Sequence, residues 1–156
     1  MLDIAGELER VINSVRNEHL TKIGSGLNRN VYRINTDKFG DQYKGKVVKY
    51  AQRKPTIQDN RREFQTWMSV KGTRLEEKFC PIRDRSQNFE FLIMDYARPD
   101  STYKRGGIED TQEKIENEFK LGDGIHDLHD ANFGYHDKYG LVVIDYPWGG
   151  DFVHES

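Results

Sequence analysis

Asp127 and Asn132 stand five residues apart in Asp127-Leu128-His129-Asp130-Ala131-Asn132, and Asp145 follows thirteen residues later at the end of the apolar run Leu141-Val142-Val143-Ile144. These residue types at this spacing could carry out magnesium-dependent phosphoryl transfer. An Asp and an Asn on one loop can face a transferring phosphate from two sides, Asp127 orienting the attacking hydroxyl and Asn132 binding Mg2+. Asp145, at a strand end, would supply the other metal ligand. Alone, an Asp-x-x-x-x-Asn segment is equally a turn in which both side chains bond nearby backbone. The upstream residues decide between the two.

Gly24-Ser25-Gly26-Leu27-Asn28-Arg29-Asn30-Val31 lies between Lys22-Ile23 and Tyr32-Arg33-Ile34. Gly24 and Gly26 let a hairpin bring the backbone N–H groups around Ser25 close to phosphate, and Val31 can roof an adenine. Next, Gly45-Lys46-Val47-Val48-Lys49-Tyr50-Ala51 reads as a strand that presents Lys49. Asn60-Arg61-Arg62-Glu63-Phe64-Gln65-Thr66-Trp67 reads as a helix whose Glu63 is available to hold Lys49 toward phosphates.

In this order the segments resemble the protein-kinase-like fold, and more closely its aminoglycoside-phosphotransferase and viral kinase-like branches than the phosphorylation-regulated kinases. Arg29 stands where that pattern has its third glycine. Phe89-Glu90-Phe91-Leu92-Ile93-Met94-Asp95-Tyr96-Ala97 resembles the fifth strand and hinge, which implies Met94 as gatekeeper and the backbone of Asp95 and Ala97 at the adenine edge. The resemblance implies an α+β fold: a small lobe with a five-stranded antiparallel sheet and a helix, and a second lobe carrying the catalytic loop. It also implies ATP and Mg2+ as cofactors, Lys49, Glu63 and Asp127 as catalytic residues, and Asn132 and Asp145 as metal ligands.

A chain of 156 residues is one domain's length and short for a complete kinase-like domain. The expectation is a single minimal domain, residues 1–97 forming the small lobe with an extra N-terminal helix and 98–156 a reduced second lobe. A trimmed protein or a piece of a longer one fits this length. The helices that would normally support the catalytic loop are not encoded, so a homodimer or a partner protein is expected to cover its base through Trp148 and Phe152.

Charged residues make up 32% of the chain against 35% hydrophobic, with net charge -2. Lys and Arg are interleaved with Asp and Glu, so no basic stripe points to nucleic acid. No apolar run reaches membrane-spanning length, and a cytoplasmic protein is expected. The single cysteine, Cys80 beside Phe79 and Pro81, reads as a small core residue.

Periodicity places the supporting elements. Ile4, Leu8, Val11, Ile12 and Val15 give a helix one apolar face. Strands are expected near Lys22–Gly24, Asn30–Asn35 and Lys46–Tyr50, with two more flanking a turn at Asp84–Asn88. Pro55 opens a helix with Ile57, Phe64, Trp67 and Met68 inward. Arg98–Gly107 reads as the inter-lobe connection, Ile108–Lys120 as a helix, and Tyr135–Ile144 as a hairpin returning Asp145 beside Asn132.

His126, His129 and His136 are too loosely spaced for a zinc site, and His129 is expected to brace the loop. Asp145-Tyr146-Pro147 stands in place of Asp-Phe-Gly. Proline restricts the residue before it to extended conformations, so Asp145 is expected to be locked rather than switchable. The function these residues imply is transfer of the γ-phosphoryl group of ATP to a hydroxyl of a protein or a small molecule. A non-catalytic nucleotide-binding or protein-interaction module, and a nucleotidyl transferase, are the alternatives.

Overall fold

The computed structural model describes residues 3–14, 18–25, 29–98, 119–120, 133–147 and 153–154. Its chain order is α1 (Ala5–Ile12), β1 (Leu20–Ser25), β2 (Asn30–Ile34), β3 (Val47–Tyr50), α2 (Lys54–Val70), β4 (Ile82–Arg85), β5 (Phe91–Met94), β6 (Phe119–Lys120), β7 (Phe133–His136), β8 (Gly140–Val143) and β9 (Val153–His154). The chain divides into two units, Met1–Arg61 with Ile82–Tyr96, and Arg62–Pro81 with Ala97–Ser156.

The first unit holds an antiparallel five-stranded sheet in the order β1-β2-β3-β5-β4. Successive strand residues point to opposite faces, so each strand divides its apolar residues between two layers. Val48, Tyr50, Phe91, Ile93 and Ile34 join Leu8 and Val11 of α1 in one core cluster. The rings of Tyr50 and Phe91 stack at 4.6 Å. The helix read from Ile4 through Val15 is shorter than that spacing predicts. It ends at Ile12, where Asn13 N–H bonds Glu9 O and the Ser14 hydroxyl donates to Val11 O at 2.7 Å, the local backbone bonding by which Ser competes with helix.

Two strands carry an extra residue. In β1 the register moves from Lys22↔Tyr32 to Gly24↔Val31, leaving Ile23 bulged and 46% exposed. In β4 it moves from Ile82↔Met94 to Asp84↔Ile93, leaving Arg83 bulged. Such bulges re-aim side chains and raise local twist.

Helix α2 starts one residue before Pro55. Arg53 N–H donates to Thr56 Oγ1 at 3.1 Å, and that hydroxyl donates to Arg53 O at 2.7 Å, so one side chain bonds the backbone that enters the helix. Its buried stripe is Thr56, Asn60, Glu63, Trp67 and Val70, spaced four and three residues apart as a buried helix face requires. The expected stripe is therefore rotated. Trp67 is buried as predicted, Ile57 and Phe64 are half-buried, and Met68 is exposed. Polar Thr56, Asn60 and Glu63 replace them, because each has a hydrogen-bond partner in the fold.

In the second unit β7 and β8 form a hairpin through Asp137–Tyr139. Gly140 closes it at φ +75°, and the buried His136 Nδ1 accepts the N–H groups of Lys138 and Tyr139 at 3.1 and 3.2 Å. Phe119–Lys120, read as the end of a helix from Ile108, is instead strand β6, paired with Val153–His154. That pairing joins segments far apart in sequence, which local periodicity does not register. Among the described residues no helix is long and apolar enough to cross a membrane.

Candidate functional site

Antiparallel partners on one face of a sheet lie side by side. Gly24 pairs with Val31, Val31 with Lys49, and Lys49 with Leu92. These residues form one cross-strand row over β1, β2, β3 and β5. Alternation sets the row on the face opposite the α1 core, since Val48, Tyr50 and Ile93 belong to that core. Met94 lies two residues beyond Leu92 on the same face, opposite Val47. The sheet thus brings Gly24, Val31, Lys49 and Met94 to one surface. Lys49 is 5% exposed, an uncommon burial for an ammonium group unless it is engaged. Ser25 closes the row's edge opposite Asn30, while Gly26 lies outside the described residues.

At the end of β5, Asp95 is buried and its carboxylate is fully engaged. Arg83 grips it bidentately, Nε to Oδ1 at 2.9 Å and Nη2 to Oδ2 at 2.7 Å, and Lys46 Nζ lies 2.9 Å from Oδ1. A planar guanidinium matches a carboxylate in both distance and direction, so this segment is held by side chains while the expectation concerned only its backbone. No sequence spacing announces the cluster, because Arg83 reaches Asp95 from the β4 bulge.

Asn60 is a further residue that sequence reasoning missed. Fully buried, it donates from Nδ2 to the carbonyls of Lys49, Phe89 and Glu90 at 3.2, 2.9 and 3.2 Å. Its Oδ1 accepts from Arg29 Nη1 at 2.9 Å. The available signal was its position three residues before Glu63 on one helix.

Glu63 and the Asp145 segment both lie in the second unit. Glu63 is fully buried, and its Oε2 accepts the backbone N–H of Tyr146, the residue after Asp145, at 2.7 Å. Tyr146 is itself fully buried. Its hydroxyl donates to Cys80 O at 2.6 Å, and its ring meets Phe79 edge-on at 5.1 Å. Cys80 N–H in turn bonds Val143 O at 2.9 Å. Backbone, hydroxyl and ring all fix Tyr146, and Pro147 restricts it further. Asp145 is half-buried.

Ala97 is buried beside β7 in the same unit. Arg98 N–H and C=O exchange hydrogen bonds with Tyr135 at 2.9 and 2.8 Å. A Cβ added at Gly134 would stand 2.8 Å from Ala97 Cβ, so the close approach of the two segments requires glycine there. Asp127, Asn132, His126 and His129, the connection beyond Arg98, the rest of the Ile108 helix, and Trp148 and Phe152 lie outside the described residues.

No family model matches the chain, and no curated protein does. Among solved structures it is similar to the streptomycin–ATP–APH(2")-IIa ternary complex, an aminoglycoside phosphotransferase, at 16% identity and a TM-score of 0.50. The match covers 84% of this chain and 45% of that one. The likeness is one of fold: an α+β arrangement whose five-stranded antiparallel sheet and helices are consistent with a kinase-like small lobe.

Proposed function

We infer that the chain is an ATP-dependent phosphotransferase that moves the γ-phosphoryl group to a hydroxyl of a protein or a small molecule. The observation that carries this reading is the row Gly24–Val31–Lys49 with Met94 on the same sheet face. It brings Gly24, the apolar side chains of Val31 and Met94, and the buried Lys49 to one face, which supports a site for a base and its phosphates. The solved structure of like fold is itself described as an ATP complex.

In this reading Lys49, paired with Glu63, holds the α- and β-phosphates, and the hinge backbone of Asp95 and Ala97 meets the adenine edge. Asp127 orients the acceptor hydroxyl and takes its proton. Mg2+ fits the donor set, because it is commonly held by one or two side-chain oxygens together with substrate phosphates and water. Asp145 and Asn132 would hold it, and bound there it would neutralise charge on the phosphates. Glu63 steadies Asp145 through the Tyr146 N–H, which keeps the metal-binding carboxylate fixed during turnover.

Incubation with γ-labelled and α-labelled ATP tests the reading. Transfer of the γ label, abolished in Asp127→Asn with nucleotide binding retained, is the expected result. Transfer of the α label would make the chain a nucleotidyl transferase. Bound ATP without any transfer would make it a binding module.

A further inference from the structure

The Asn60 amide nitrogen is satisfied within the sheet unit before Arg29 is counted. Its amide nitrogen has two hydrogens and faces the carbonyls of Lys49, Phe89 and Glu90, which suffices to dock α2 on β3 and on the β4–β5 turn. The bond from Arg29 is of another kind. It crosses 31 positions of sequence to the residue just before β2. The next residues, Asn30 and Val31, are the register partners of Tyr50 and Lys49. One side chain therefore fixes both the backbone of Lys49 and the entry to the strand that carries Val31.

We propose that Arg29 and Asn60 are a positioning couple for the nucleotide, holding the glycine-bearing hairpin to α2 so that Val31 and Lys49 keep their spacing before ligand arrives. The proposal rests on the nucleotide-site reading above and adds to it residues with no role in the chemistry. A glycine at position 29 would leave the backbone more conformations to lose on binding. A guanidinium bonded to a buried amide removes that freedom in advance, and such preorganisation raises affinity without a new ligand contact. Arg29 thus works through Asn60 rather than on the phosphates, and its contribution to binding is insensitive to salt, unlike an exposed charge attracting an anion.

Hydrogen exchange at the β2 amides, measured without nucleotide, and calorimetric Kd for Mg-ATP at low and high salt test this on the full chain as Arg29→Ala and Arg29→Lys. Arg29→Ala is expected to speed exchange at Asn30–Tyr32 and to raise Kd roughly tenfold at both salt concentrations. Arg29→Lys, which keeps a donor, is expected to recover part of both. Unchanged exchange in Arg29→Ala overturns the tether whether or not ATP binds. Faster exchange with unchanged Kd overturns the positioning role, and a Kd effect that vanishes at high salt assigns Arg29 to direct charge attraction instead. Absence of heat with the unmodified protein defeats the nucleotide-site reading and the positioning role with it, while the exchange result separately reports whether the tether exists.

Discussion

Tyr146 is held by parts that separate under mutation. Its backbone N–H goes to Glu63, its hydroxyl to Cys80 O and its ring to Phe79. Tyr146→Phe removes the hydroxyl alone and leaves a buried carbonyl with one donor fewer, at a cost of about 1–2 kcal/mol. Denaturant melts should show that loss while Mg-ATP affinity stays unchanged, because the bond to Glu63 is made by backbone. A large fall in affinity would mean that the hydroxyl, not the N–H, sets the Asp145 segment. Tyr43 offers a residue-scale test by pH. Burial first, then its 2.8 Å bond to the Asp84 carboxylate, pushes its phenol up from 10.0 to about 12. The folded state holds this proton more tightly than the unfolded state, so the stabilisation is complete below pH 10 and is lost as pH rises toward about 12. The stability difference between the unmodified protein and Tyr43→Phe should therefore narrow across that window. A difference independent of pH would remove Tyr43 as its source.

At the scale of elements, α2 has the most to place, since its stripe contains both the Asn60 hub and the buried Glu63 carboxylate. Trp67 is 4% exposed and Met68 53%. Trp67→Ala should cost about 3–5 kcal/mol and Met68→Ala no more than about 0.5 kcal/mol, read by urea unfolding. Equal losses would restore the stripe that hydrophobicity alone predicts. That stripe was misread because Thr56, Asn60 and Glu63 look like surface residues until their partners are known. The strands were more legible. Val47–Tyr50, apolar but for Lys49, and the apolar run Phe91–Met94 read directly as strands, and their registers place Val31, Lys49 and Met94 on one face. Strand β4 was displaced by a few residues, its Ile82–Arg85 run including residues read as turn. The ion cluster of Asp95 with Arg83 and Lys46 was invisible, since it depends on a bulge that shifts register within one strand. So was the β6–β9 pairing, whose partners are too far apart for periodicity to connect.

For the whole molecule, fold and function rest on different grounds. The α+β fold with its five-stranded sheet is shared with a solved aminoglycoside phosphotransferase at 16% identity, and folds of this kind host more than one activity. Function must therefore be argued from the sheet face that carries Lys49 and from the Glu63–Tyr146 contact, each set within its own unit. The most direct measurement of the central claim is the melting temperature of the full chain titrated with Mg-ATP, run beside Lys49→Met. A ligand that binds only the folded state stabilises it by about 2.7 kcal/mol at a hundred times Kd. The unmodified protein should melt progressively higher with the logarithm of Mg-ATP concentration, and Lys49→Met should lose most of that rise. An unchanged melting temperature at saturating Mg-ATP, with no heat in calorimetry, would contradict the account.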